Sequence, residues 1–184
     1  TYIFNNKNLG YGRAHNIALE KSLKTNAKYH LVLNSDIEFT SDVITQLTKF
    51  MDENPDIGHA MPLVRYPNGN IQYLAKQLPS PFDLFARRFM PKSWFKNRTA
   101  KFENHAFYQN HNYKSQLLDV PYLSGCFMFL RCDALRKVGL FDPRFFMYPE
   151  DIDLTRRIHQ LYRTVMYPAV EITHNHAQSS YHSF

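Results

Sequence analysis

Cysteine and glycine are scarce in this sequence, with two Cys and six Gly among 184 residues. Cys126 and Cys132 are too few for a disulfide framework and lack the spacing of a zinc knuckle. We expect them as buried thiols in a reducing compartment. Long apolar runs are missing too: none approaches the roughly 18 residues that a spanning helix needs. No secretory leader is read; reduced cysteines and the lack of a spanning run make the expected location cytoplasmic. No Ser-His-Asp or Cys-His arrangement announces a covalent enzyme nucleophile, and neither an internal repeat nor a low-complexity tract is visible.

What remains is the composition of a folded domain: 44% hydrophobic, 15% aromatic and 21% charged. That length holds one domain with a real core and is short for two. A net charge of +6 and a pI near 9.3 permit nucleic acid, anionic lipid or phosphorylated small molecules as partners without choosing among them.

Strand-like and helix-like stretches alternate, which predicts an α/β fold with a mainly parallel sheet. Tyr2-Ile3-Phe4 reads as a short strand. A helix is expected from about Arg13 to Lys24 with Ala14, Ile17 and Ala18 on its apolar face, then a buried strand over 29–33. Ser41 is placed to cap a helix whose stripe is Val43, Ile44, Leu47, Phe50 and Met51, ending at Asn54-Pro55. Residues 57–66 read as extended, Pro67-Asn68-Gly69-Asn70 as a turn, and 71–74 as the strand after it. Strands follow at 120–123 and 126–130, helices at 133–138 and from Pro149 to about 162, and a last strand at 164–173. Between them, residues 79–116 carry seven basic residues against Asp83 and Glu103, with nine interleaved aromatics. This basic aromatic excursion is either a surface with snorkelling side chains or a face for a membrane or lipid-linked substrate.

Four segments carry candidate chemistry. Asn34-Ser35-Asp36 ends an apolar strand, where open α/β sheets bind ligands, and an Asp there can hold Mg²⁺ or Mn²⁺ while phosphates complete the shell. Glu150, Asp151 and Asp153 crowd a helix start; helical spacing puts 150 and 153 on one face and Asp151 off it. A carboxylate at a helix start is expected to keep a low pKa. His174-Asn175-His176 ends a strand with both imidazoles on one face. Asn8-Leu9-Gly10-Tyr11-Gly12-Arg13 is a glycine-bearing turn into a helix, able to offer backbone amides to a phosphate.

In this order the segments resemble the family 2 glycosyltransferases, closest to rhamnosyltransferase-like members. Asn8 through Asn16, Leu33 through Asp36, Ser124 through Arg131 with Gly139 through Asp142, Phe145 through Leu154, and His174 through Ser179 carry the likeness over nearly the whole chain outside the excursion. The resemblance implies a GT-A type α/β/α sandwich and an inverting, metal-assisted transfer of a sugar from a nucleoside-diphosphate donor to an acceptor hydroxyl. The setting it implies is polysaccharide or glycan biosynthesis, with a glycan or lipid-linked acceptor and a peripheral contact at the inner membrane face. Asp151 becomes the general base. Asp36 becomes the metal ligand, for Mg²⁺ or Mn²⁺, with His174 or alternatively His176 beside it. Asn8, Gly10, Arg13, Asn34 and Asp36 fall to the donor side, Gly125 and Glu150 to the acceptor side. Asn34 departs from the first Asp of the family's Asp-x-Asp motif. The resemblance also implies a strand and helix ahead of Thr1, so a truncated chain with an incomplete donor site and weak or absent activity in isolation is expected.

Two other classes compete. A basic, aromatic module could grip nucleic acid or an anionic surface, but it leaves the acidic motifs at strand and helix ends unexplained, and no nucleic acid is expected. A Mg²⁺-dependent nucleotidyltransferase also uses carboxylates on an α/β sheet and fits the Glu-Asp helix start and His-x-His ending less well.

Overall fold

A computed structural model describes residues 2–76, 112–147 and 149–175. Most of the 79–116 excursion, and His176, lie outside them.

The described elements run α1 (Tyr11–Leu23), β1 (Tyr29–Leu33), β2 (Ile37–Glu38), α2 (Asp42–Glu53), β3 (Ile57–Arg65) and β4 (Ala75–Lys76), then β5 (Leu118–Asp119), β6 (Tyr122–Leu123), β7 (Phe127–Arg131), α3 (Cys132–Val138), α4 (Pro149–His159) and β8 (Arg163–His174). The main sheet has the order β1-β7-β3-β8-β2, with β5 also on β8; β4 and β6 form a separate ladder. β3 and β8 pair in parallel. β7 runs antiparallel to both β1 and β3, so three of the four central strands, β1, β3 and β8, share one direction.

Both faces of the sheet are covered. Along β7, Phe127 and Phe129 join Val43, Leu47 and Met51 of α2 in one core. Met128 and Leu130 point the other way, toward Leu19 of α1, Leu135 of α3, and Leu154 and Ile158 of α4. This two-residue alternation splits one strand between two cores and makes the α/β/α sandwich. Each of these side chains contributes about 1.5–3 kcal/mol by leaving water. Arg131 closes the edge away from the candidate site, donating from Nε to Ile57 O at 2.7 Å and from one terminal nitrogen to Met51 O at 2.6 Å and Asn54 O at 3.0 Å. Both cysteines are free and buried, and no helix among the described residues is long and apolar enough to cross a membrane.

Three local expectations change. Tyr2-Ile3-Phe4 is not a strand; it has no ladder partner among the described residues, and Tyr2 and Phe4 are 86% and 73% exposed. Apolar composition without a neighbour to pair with does not make a strand. On α1 the buried positions are Gly12 and Leu19, whereas Ala14, Ile17 and Ala18 are half-buried. The helix turns this way because Gly12 lies against Phe141, where a Cβ would come within 2.9 Å of the Phe141 Cβ. Ser41 occupies the cap position of α2 but makes no side-chain cap bond; the Thr40 hydroxyl donates to the Asp42 carboxylate instead.

His59, near the start of β3, is wholly buried, and among the described residues neither ring nitrogen has a hydrogen-bond partner of good geometry. Burial pushes its pKa down to about 3. Between that value and the ordinary histidine value the unfolded chain binds a proton that the folded chain refuses, so stability rises with pH across this window and is lost as pH falls below about 6. We expect His59 to contribute a slope of about 1.4 kcal/mol per pH unit there. Urea unfolding at pH 6, 5 and 4 should show that slope reduced in His59→Met; an unchanged slope would place the acid sensitivity elsewhere.

Candidate active site

The shared direction of β1, β3 and β8 brings their carboxyl ends to one edge. Asn34 and Asp36 follow β1, Tyr66 follows β3, and His174 ends β8. Because β7 runs the opposite way, its start, at Ser124-Gly125-Cys126, reaches the same edge, and the first turn of α4 points there too. Between them lies a cavity of about 500 Å³.

Asp151 is the most closely held group in it. Oδ2 accepts the Gly125 N–H at 2.8 Å, and the Tyr122 hydroxyl lies 3.4 Å from the same oxygen. Oδ1 accepts the Ile152 N–H at 2.8 Å. Gly125 suits this close approach, since a Cβ there would come 3.1 Å from the Asp151 Cβ and press the neighbour back. On its other side the Gly125 carbonyl accepts the Tyr11 hydroxyl at 2.6 Å. Burial raises the Asp151 pKa; the Gly125 and Ile152 N–H groups, the Lys76 charge and the Tyr122 hydroxyl pull against it. The expected low pKa is therefore reversed, because desolvation outweighs the helix-start donors.

Glu150 lines the cavity beside it, only 4% exposed, with Oε2 lacking any hydrogen-bond partner. Burial raises its pKa, and the neighbouring Asp151 charge adds to the rise. Asp153 does not share this pocket as the helical spacing suggested. It pairs with Arg157, Nε to Oδ2 at 2.8 Å, and Arg157 continues to the carbonyls of Val138 and Leu140, both at 2.7 Å. The start of α4 is aimed at the cavity, so positions 150 and 151 both reach it while 153 is already over α3.

On the opposite wall, Asp36 and His174 meet. β2 pairs with β8 so that Ile37 stands opposite His174, and the Asn175 N–H donates to Asp36 O at 2.9 Å. This register leaves His174 Nε2 3.4 Å from Asp36 Oδ1. His174 Nδ1 lies 2.8 Å from Gln72 Oε1. A carbonyl oxygen only accepts, so Nδ1 carries the proton and Nε2 faces the carboxylate. Such an orienting partner on the far nitrogen is what metal-ligating histidines have. Among the described residues no group of three or more His, Cys, Asp or Glu could hold a metal alone. One carboxylate and one imidazole nevertheless suit a divalent ion that brings the rest of its shell as phosphate and water.

Asn34, Asp36, Gly125, Glu150, Asp151 and His174 are thus brought together. Asn8, Gly10 and Arg13 are not part of the lining. Asn8 Oδ1 accepts the Gly10 N–H at 2.9 Å, Arg13 Nε donates to Pro143 O at 2.6 Å, and the Tyr11 N–H donates to Phe146 O at 3.2 Å. These residues seat α1 on the segment entering α4. Sequence reasoning missed Tyr11, Gln72, Lys76 and Tyr122, all of which line the cavity. Tyr11, between two glycines at a helix start, carried a signal; Gln72, Lys76 and Tyr122 lie on or beside strands of two residues, whose pairing the sequence does not display.

Comparison with known proteins bears on the family and the fold. The family model described as glycosyl transferase family 2 matches residues 1–139. An N-acetylglucosaminyl-diphospho-decaprenol L-rhamnosyltransferase of Mycobacterium tuberculosis, found in two strains, is 30% identical over 182 residues, covering 94% of this chain and 58% of its own. The chain therefore spans well under two thirds of the length of those relatives. Among solved structures, GalNAc-T7 with UDP, GalNAc and Mn²⁺ superposes with a TM-score of 0.64 at 15% identity, over 95% of this chain and 31% of its own. A mannosyltransferase of Pyrobaculum calidifontis with GDP-mannose and Mn²⁺ gives 0.56 at 15% identity, over 99% and 41%. Both show the GT-A glycosyltransferase fold.

The seam under α1 makes its own forecast. Gly10 has φ +78°, and a Cβ there would lie 2.3 Å from the Phe146 carbonyl oxygen. Gly10→Ala should cost about 2–4 kcal/mol, from the strained backbone and the forced separation together, read as a lower urea midpoint. A loss below about 1 kcal/mol would mean that the seam yields freely.

Proposed function

The chain belongs to glycosyl transferase family 2, and from that membership we propose that it moves a sugar, with L-rhamnose favoured by the curated relatives, from a nucleoside-diphosphate donor to an acceptor hydroxyl in a single inverting displacement. The observation that carries this is the pairing of opposite walls. Asp151 is held by a backbone N–H on one side of a 500 Å³ cavity, and the Asp36–His174 pair stands on the other.

Asp151 acts as general base. Its raised pKa brings it closer to the working pH than an exposed Asp, which makes proton uptake from a sugar hydroxyl more effective. Fixing Oδ2 on Gly125 sets the carboxylate before the acceptor arrives. Glu150, buried beside Asp151 in the lining of the same cavity, adds a second carboxyl on the acceptor side. Asp36 and His174 would hold Mg²⁺ or Mn²⁺, with Gln72 fixing the imidazole. Bound there, the cation would neutralise the departing diphosphate. Asn34 supplies an amide for a ribose or phosphate oxygen but no charge. The acceptor is a glycan or a lipid-linked sugar, as the name of the curated relatives suggests.

Two experiments test this. With dTDP-rhamnose as donor and N-acetylglucosaminyl-diphospho-decaprenol as acceptor, Asp151→Asn should lower turnover by about 10²–10⁴-fold while dTDP affinity stays within about threefold of wild type. Equal losses in both would remove Asp151 from the base role. In calorimetric titrations of UDP and dTDP, Mn²⁺ should raise affinity by about tenfold or more, and Asp36→Ala should abolish that gain. A gain that survives in Asp36→Ala would move the metal elsewhere.

A further inference from the structure

The two-stranded ladder of β4 and β6 sets Lys76 directly opposite Tyr122. The Lys76 ammonium lies 5.2 Å from the centroid of the Tyr122 ring, and the Tyr122 hydroxyl lies 3.4 Å from Asp151 Oδ2. The ladder is firmly seated. Ala75 and Leu123 are fully buried, the Ala75 N–H donates to the Tyr113 hydroxyl at 2.8 Å, and the Thr155 hydroxyl donates to Leu123 O at 3.5 Å, tying β6 to the turn of α4 that follows Asp151. A carboxylate oxygen accepts about two hydrogen bonds. Oδ2 has two donors at hand, Gly125 and Tyr122, whereas Oδ1 has only the Ile152 N–H.

We propose, building on the assignment of Asp151 as base, that Lys76 and Tyr122 are positioning residues. The Tyr122 hydroxyl completes the hold on Oδ2, leaving Oδ1 to take the acceptor's proton, and the Lys76 ammonium keeps the carboxylate charged inside an acidic, buried pocket. The groups facing Asp151 are Glu150 on its own helix, Tyr11 from α1, Cys126 before β7, Tyr122 from β6 and Lys76 from β4. Burial raises both tyrosines and brings Cys126 to about 11, so these three stay protonated at neutral pH. Among the described residues facing Asp151, Lys76 is then the single positive charge.

The sign follows. Tyr122 and Lys76 both favour the ionised carboxylate against its burial, so removing either makes Asp151 hold its proton to higher pH. The test is a ¹³C NMR titration of aspartate-labelled protein, with the Asp151 carboxyl resonance identified by its loss in Asp151→Asn. Tyr122→Phe keeps the ring, and Lys76→Met keeps the aliphatic stem. Each should raise the Asp151 midpoint by about half a pH unit or more with little change in melting temperature, an outcome that merely structural residues would not give. A midpoint unmoved or lowered in either variant overturns the pair. No substrate enters this measurement, so it stands even if turnover survives Asp151→Asn and the base assignment fails.

Discussion

One residue, Gly125, joins the parts of the site. Its carbonyl takes the Tyr11 hydroxyl at 2.6 Å and its N–H goes to Asp151 at 2.8 Å. Helices α1 and α4 are thereby fixed to the same point at the start of β7. Hydrogen bonds in such partly buried surroundings are stronger than the same bonds in water, and costlier to break. Tyr11 is itself held twice, by its N–H on Phe146 O and by its ring edge on Phe141 at 5.9 Å. The Asn16 side chain grips Phe141 from both directions, donating to its carbonyl at 2.8 Å and accepting its N–H at 3.1 Å. The glycine-bearing segment at the start of α1 therefore helps to set where the Asp151 carboxylate stands, although of its residues only Tyr11 lines the cavity.

The first turn of α4 separates its acids by function. Helix starts favour negative charge, yet burial raises both Glu150 and Asp151. Asp153 is drawn outward to Arg157, whose other donors close the last carbonyls of α3 and the chain beyond it. An acid turned outward thus secures packing, while the two turned inward retain proton affinity. Lys76 and Tyr122 moderate that affinity from a ladder of only two residues per strand. A short ladder suffices because the buried Ala75 and Leu123 anchor it.

Much of the architecture was legible because each element announced itself locally. The apolar run of β3, the stripe of α2 and the acidic start of α4 are periodic signals, and strand ends in an α/β fold mark where ligands bind. Strand ends brought Asp36 and His174 forward as candidates, whereas Asp151 was chosen among the acids of the α4 start by the family resemblance alone, helical spacing having set it off the face of 150 and 153. What could not be read was register. Whether Asp36 meets His174 depends on β2 pairing with β8 so that Ile37 faces His174, and whether Lys76 meets Tyr122 depends on pairing between two-residue strands. Such strands have no periodicity to display. The low pKa expected for Asp151 failed for a related reason, since burial comes from the tertiary assembly and the helix start is only its local part. Tyr2-Ile3-Phe4 failed in the opposite direction, as a local apolar signal without a partner.

The charge balance of the cavity bears on how a metal and a nucleotide would enter it. A strict Asp-x-Asp motif would place two negative side chains beside His174; here Asn34 leaves Asp36 alone. Two protein donors make a weak cage for Mg²⁺ or Mn²⁺, which prefer oxygen ligands and readily share phosphates. Under the proposed function the diphosphate must then supply part of the shell, so the ion and the donor would bind far better together than apart. Linkage makes this reciprocal: whatever factor the cation adds to nucleotide affinity, the nucleotide adds to cation affinity. Loss of the diphosphate after transfer would also loosen the ion. Under that proposal, an Asn at position 34 in place of a carboxylate would shift metal retention from the protein to the substrate, while Asp151, held across the cavity by Gly125, would be unaffected.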